Sequence, residues 1–197
     1  MIQRVTLIGL VLVLLCPFSA HAGAPLDTAK NGVDKVIAVA GDPSLQGDQN
    51  KAKKEEKVRK IIGEFFDFEI LSRYTLGKDW KKFNSEQQKE FTTLYRSLLE
   101  NVYMDRILMY TNEKVEFTKE LEIAKNRAEV QSKLIRGGTE TPIHYRMVIV
   151  GGKWKVYDVV IEGVSMVKNY RSQFNDMLIK QSPDELIEFL RKKIKEA

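Results

Sequence analysis

The amino-acid sequence predicts an α+β fold, a four-stranded antiparallel meander packed with helices. Three observations carry that expectation. Apolar residues recur at helical spacing from Leu26 to Tyr110 and again after Ser165. Between Val115 and Ile161 the period shortens to two, the signature of half-buried strands. Inside that stretch Lys125-Asn126, Gly137-Gly138 and Gly151-Gly152 form short turn-prone pairs. Strands joined so closely pair antiparallel, because a parallel crossover takes on the order of a dozen residues.

At the N-terminus, Arg4 precedes an uncharged, largely apolar run from Val5 to Leu15, and small residues follow at Ala20-His21-Ala22. This pattern reads as a secretory signal peptide over residues 1–22, cleaved before Gly23, with a single domain over 23–197. The run is shorter than the roughly 20 apolar residues a membrane span needs. Leu14 and Leu15 precede Cys16 where a lipidation site would want small residues. Loss of the leader removes the only cysteine, so a packed core must supply the stability. It also removes one of the 32 basic side chains and none of the 27 acidic ones. That mild excess suits work near anionic membranes and falls short of a nucleic-acid footprint.

Leu26, Val33, Val36, Ile37 and Ala40 define a first helix ended by Gly41-Asp42-Pro43, and the polar segment from Gly47 to Lys57 reads as a solvated linker leading into the start of the next helix. A second helical stripe starts at Val58. Asp67 is placed to cap a short helix carrying Leu71 and Tyr74, which Gly77 ends. Asn84 or Ser85 with Gln87 or Gln88 forms a capping box for a long helix of roughly 26 residues, about 39 Å. Its wide apolar face includes Leu98 and Val102. Four strands follow, centred on Phe117, Ser132, Met147 and the segment from Trp154 to Ile161. Ser165 or a neighbour opens the next helix, and Ser182, Pro183 and Glu185 cap the last, ending near Lys195.

Few residues suggest chemistry. There is no phosphate-binding loop, nucleophile elbow, zinc-protease helix or cysteine pair. His144 is the one histidine beyond the leader, and alternation sets it on the face opposite Tyr145 and Met147, toward the surface or a partner. Asp158 is the sharpest enzymatic candidate. A carboxylate in an apolar strand can act as general base in an isomerase-like or dehydratase-like cavity. No second acid or oxyanion donor stands beside it. Alternation puts Trp154, Val156, Asp158, Val160 and Glu162 on one face, where Arg171 or a helix terminus would satisfy both acids. Trp80 and Tyr74 read as a packing anchor more readily than as a ligand-stacking pair. Met104, Met109, Met147, Met166 and Met177 suit either an adaptable pocket wall or an ordinary core.

Three stretches together resemble one family. F-F-D-F-E-I-L-S-R-Y-T-L-G-K-D-W at 65–80, N-S-E-Q-Q-K-E-F-T-T-L-Y-R-S-L-L-E-N-V-Y at 84–103 and W-K-V-Y-D-V-V-I-E-G-V-S-M-V-K-N-Y-R-S-Q-F at 154–174 are similar to the MlaC, or toluene-tolerance, family. The likeness covers nearly all of the chain beyond the leader. It implies an NTF2-like cone enclosing a hydrophobic pocket for phospholipid acyl chains, in a monomeric, non-catalytic periplasmic carrier without cofactor, metal or nucleic acid. Implied partners are an outer-membrane lipoprotein–porin complex and an inner-membrane ABC transporter bearing an MCE-domain ring. The role implied is maintenance of outer-membrane lipid asymmetry. Val164 and Met166 lie in the matching E-G-V-S-M element and are expected to line the pocket. From periodicity, Leu71, Tyr74, Leu98, Val102, Tyr145, Met147 and Ile149 are expected to join them. The basic segment 51–60 maps to no family motif. An exported scaffold or chaperone for apolar peptide segments is a third reading.

Overall fold

The computed structural model describes residues 24–109 and 113–196. The leader expected at 1–22, with Cys16, and the helix-to-strand changeover at Tyr110 and Asn112 lie outside the described residues. Among those residues, helices α1 (Pro25–Ala40), α2 (Lys51–Phe65), α3 (Phe68–Leu76) and α4 (Ser85–Leu108) precede the sheet. Strands β1 (Lys114–Ala124), β2 (Arg127–Arg136), β3 (Thr139–Val150), β4 (Lys153–Ile161) and β5 (Val164–Ser165) follow, then α5 (Met166–Leu178) and α6 (Pro183–Glu196). The sheet order β1-β2-β3-β4-β5 is an antiparallel meander.

The expected caps form where their residues stand. Asp67 accepts from the Ile70 amide at 2.8 Å at the start of α3. Asn84 and Gln87 exchange side-chain and backbone bonds, each at 2.9 Å, in a capping box opening α4. Ser182 and Glu185 do the same for α6. Each cap satisfies amides that the first helical turn leaves without partners. Gly77 ends α3 with φ 56, a left-handed conformation that costs glycine little.

Two expectations are corrected. The sheet has five strands, not four. Glu162 (φ 50) and Gly163 (φ 81) both adopt left-handed conformations, reversing the chain tightly enough to pair Val164 with Ile161 and Ser165 with Val160. Two residues are too few for alternation to reveal a strand. The segment expected as a linker is also helical from Lys51, seven residues before the apolar stripe at Val58 begins. Alanine, lysine and glutamate are good helix formers, so this turn needs no apolar face to hold it.

Among the described residues two apolar clusters hold the fold together. One joins α3 to α6 through Leu71, Phe91, Tyr95, Phe174, Leu186 and Leu190, with Phe91, Tyr95 and Phe174 in mutual ring contact. The other sets Ala29 of α1 and Phe65 of α2 on Val130, Met147 and Val156 of the sheet. Phe66, at the bend between α2 and α3, packs against both. Its backbone forms an isolated parallel bridge to Val156, and the Asp67 amide donates to the Val156 carbonyl at 2.9 Å. Glu100, nearly buried on α4, is held by Arg59 at 2.9 Å and Arg96 at 2.7 Å, tying α2 to α4.

Candidate functional site

A β-bulge decides which side chains face the interior. Arg146 pairs with Asp158, but the next residue, Met147, pairs with Val156, leaving Tyr157 as the extra residue. Cross-strand partners share a face and successive residues alternate, so the bulge reverses the parity of β4. Trp154 and Val156 lie with Met147. Asp158 and Val160 lie with Arg146, contrary to the expectation of one shared face from Trp154 to Glu162. Val159 is thereby brought in register with Tyr145 on the apolar side.

That apolar side is laid out in rows. Ala128, Met147 and Val156 form one, buried beneath α1 and Phe65. Val130, Tyr145 and Val159 form the next, in which Val130 is buried and the other two are partly covered. Phe117, Ser132, Ile143, Ile161 and Val164 continue across all five strands. In this last row only Ser132 is buried, and Val164 is 61% exposed. The face therefore runs from a sealed end under α1 to an uncovered end at β5.

One polar chain crosses it. Ser132 Oγ donates to the Ile143 carbonyl at 2.7 Å and hydrogen-bonds the Tyr145 hydroxyl. Burial pushes the Tyr145 phenol up to about 12, against a smaller downward pull from Ser132, so it stays neutral on the apolar face. Phe117 and Phe65 flank the Tyr145 ring at 6.4 and 6.2 Å between centroids.

The opposite face holds the polar corner where β4 meets α5. Asp158 is 2% exposed. Its Oδ2 accepts from Arg146 Nη1 at 3.1 Å and Ser165 Oγ at 2.6 Å, and its Oδ1 accepts from the Val167 amide at 3.0 Å. Ser165 in turn caps α5 by accepting from the Lys168 amide. The carboxylate thus sits at a helix N-terminus with both oxygens engaged, the environment of a structural anchor. Contrary to the expectation that Arg171 would pair with it, the partners of Asp158 are Arg146, Ser165 and the α5 terminus. Arg171 instead donates through Nε at 2.9 Å, and through Nη2, to the Tyr74 carbonyl near the end of α3. Glu162 is exposed and acts through its backbone, its amide donating to the Pro142 carbonyl at 3.0 Å.

The expected site residues divide among three environments. Tyr145, Met147 and Ile149 lie on the apolar sheet face, and Val164 extends it. Leu71 and Leu98 are buried in the helical cluster, with Tyr74 and Met166 packed against it. Val102 is 41% exposed on α4. Tyr74 packs at a tilt against Tyr157, 4.9 Å between ring centroids, beneath the Arg127 guanidinium, so its aromatic partner is not Trp80. His144 is partly exposed on the polar face, 3.6 Å from Glu129. Sequence reasoning missed Phe65, Phe66 and Val159. The Phe-Phe pair could have been read as a double anchor at the bend, but no local signal announces the bulge. Among the described residues no group of His, Cys, Asp or Glu is placed to hold a metal ion, and no helix is long and apolar enough to cross a membrane.

An α+β molecule with a continuous apolar sheet face, sealed at one end and uncovered at the other, belongs to the class of proteins built around an apolar interior. The family profile described as MlaC protein matches residues 30–192, and the chain belongs to that family. It is 26% identical over 174 residues to the intermembrane phospholipid transport system binding protein MlaC of Haemophilus influenzae, covering 83% of this chain and 79% of that protein. It is 25% identical over 182 residues to the toluene tolerance protein ttg2D of Pseudomonas putida, covering 88% and 83%. A solved phospholipid-binding protein from Ralstonia solanacearum, in complex with a phospholipid, matches with TM-score 0.80 and 27% identity over 88% of this chain and 98% of that one.

Proposed function

We propose that this chain is an exported phospholipid carrier whose apolar sheet face receives acyl chains. The observation that carries the reading is the row from Phe117 to Val164, apolar except at Ser132 and left partly or largely uncovered in four of its five positions. Membership of the MlaC family and the likeness to a phospholipid-bound structure support it. In this reading the sheet and helices form an NTF2-like cone. The leader is cleaved near Ala22, residues 23–197 act as one monomeric periplasmic domain, and Leu71, Leu98, Val102 and Met166 line the interior once lipid parts the helices from the sheet.

The energetics suit carriage. Two acyl chains carry on the order of 30 methylenes, and at about 0.8 kcal/mol each their exposure to water costs roughly 20 kcal/mol or more. A bilayer is as apolar as the interior, so exchange between them is nearly balanced and a docking partner can tip it. The partners in this reading are an outer-membrane lipoprotein–porin complex and an inner-membrane ABC transporter with an MCE-domain ring. Exchange between them maintains lipid asymmetry without a cofactor or catalysis in this chain.

Mass spectrometry of protein purified without detergent, combined with uptake from liposomes, tests the reading. Co-purified phospholipid or uptake is expected, and the absence of both would overturn it. The alternative, an enzyme using Asp158 as general base, requires a carboxylate oxygen open to substrate. Both oxygens are instead engaged by Arg146, Ser165 and the α5 amide.

A further inference from the structure

A surface cleft lies outside the sealed end of the apolar face. A cleft of about 510 Å³ runs between α1, the end of α2 and the start of β4. That volume falls in the range of roughly 300–1,000 Å³ usual for small-molecule sites. Lys35, Lys153 and Lys155 line it against Asp27 and Glu64, so the lining carries net positive charge. Lys155 donates through Nζ to the Glu64 carbonyl, which holds its ammonium group at the cleft wall. Thr28 and Asn31 add neutral polar groups.

The floor is different in kind. Phe65 lines the cleft and is also a member of the apolar cluster with Met147 and Val156. Its ring meets Phe66 edge-on at 5.5 Å and lies 6.2 Å from Tyr145. One aromatic side chain thus separates a lysine-lined cleft from the apolar sheet face. A cationic rim over an apolar floor matches an amphiphile with an anionic head and a hydrocarbon tail.

Resting on the carrier reading, we propose that this cleft seats the phosphate of a phospholipid head group, with Phe65 swinging aside so that an acyl chain passes onto the Met147–Val156 row. It is a portal at the α1 end, distinct from the uncovered end at Val164. Lys35 and Lys153 supply the charge that selects a phosphate-bearing amphiphile, and Phe65 closes the interior when the cleft is empty.

The test uses delipidated, isotope-labelled protein titrated with lauroyl lysophosphatidylglycerol, and with dodecyl maltoside as a phosphate-free tail of the same length. Backbone amide shifts are followed by NMR in the wild type and in K35E/K153E, both exposed positions. The lysophospholipid is expected to shift the amides of Lys35, Lys153 and Lys155, and to bind the double variant roughly tenfold more weakly, the effect of about 1.4 kcal/mol. Maltoside affinity should be the same in both proteins. Equal lysophospholipid affinity in both, or shifts confined to Val102 and Val164, would overturn the portal while leaving the carrier reading standing. A wild-type protein that takes up neither amphiphile, and no phospholipid from vesicles, would overturn both.

Discussion

Arg146 and Asp158 face each other across the β3–β4 pair, guanidinium to carboxylate at 3.1 Å, on the one side of the sheet where β4 has just reversed its parity. The carboxylate also binds Ser165 and the first turn of α5, so a single buried charge joins strand, corner and helix. Breaking a buried pair from one side costs about 3–5 kcal/mol, and the lower end applies because Arg146 keeps Glu129 at 3.1 Å. Asp158→Asn should therefore lower unfolding stability by roughly 3 kcal/mol in urea titration while the folded fraction keeps its phospholipid. A loss under about 1 kcal/mol would show that the corner is not held this way.

Val164→Glu separates folding from loading. The side chain is largely exposed, so stability should change by about 0.5 kcal/mol or less. A carboxylate at the open end of the apolar row must be desolvated against any bound chain, and co-purified phospholipid should fall at least about fivefold. Met147→Glu is a poorer probe because Met147 is fully buried and the change would unfold the sheet. Unchanged lipid content in a folded Val164→Glu protein would move the site elsewhere.

Gly32 lets α1 lie against Phe65 at the end of α2. A Cβ there would stand 2.7 Å from the Phe65 ring, closer than packed carbons allow. Gly32→Ala should cost about 1–3 kcal/mol by overpacking, and Phe65→Leu in the same chain should recover much of it. Chemical denaturation of the two single variants and the double variant measures the coupling. Additive losses would show that the seam tolerates the methyl without Phe65 moving.

Glu129 sets part of the acid stability. Burial pushes its carboxyl upward, but hydrogen bonds from Gln131 and Arg146 and the nearby charges of Arg146 and His144 outweigh this and hold it below the usual range. A folded-state value below the unfolded one, near about 4.3, contributes stability that is complete above that pH and is lost as pH falls through the folded value. Glu129→Gln should thus give a shallower decline of unfolding free energy below about pH 4.3 than the wild type. Parallel curves would assign the acid limb to other carboxylates.

Much of the architecture is local and was therefore readable. Asp67, Asn84 and Ser182 cap helices through bonds to residues no more than three positions away, and Gly137-Gly138 and Gly151-Gly152 turn the chain because their own backbones permit positive φ. The alternation of Tyr145, Met147 and Ile149 named one face of β3 correctly because β3 has no extra residue between them. The family resemblance stood on the same contiguous segments.

What lay beyond reach depended on pairing across distance. The extra residue at Tyr157 is visible only when β4 is set against both Arg146 and Met147, and it moves Asp158 from the apolar face to an ion pair and Val159 the other way. Phe65 looks like one more apolar residue in a helix until α1, brought close by Gly32, makes it the wall between a lysine-lined cleft and the interior. Local periodicity determines which face a side chain would take in an unbroken strand or helix. The register of one element on another determines which it does take, because that register is set by packing among residues far apart in the chain.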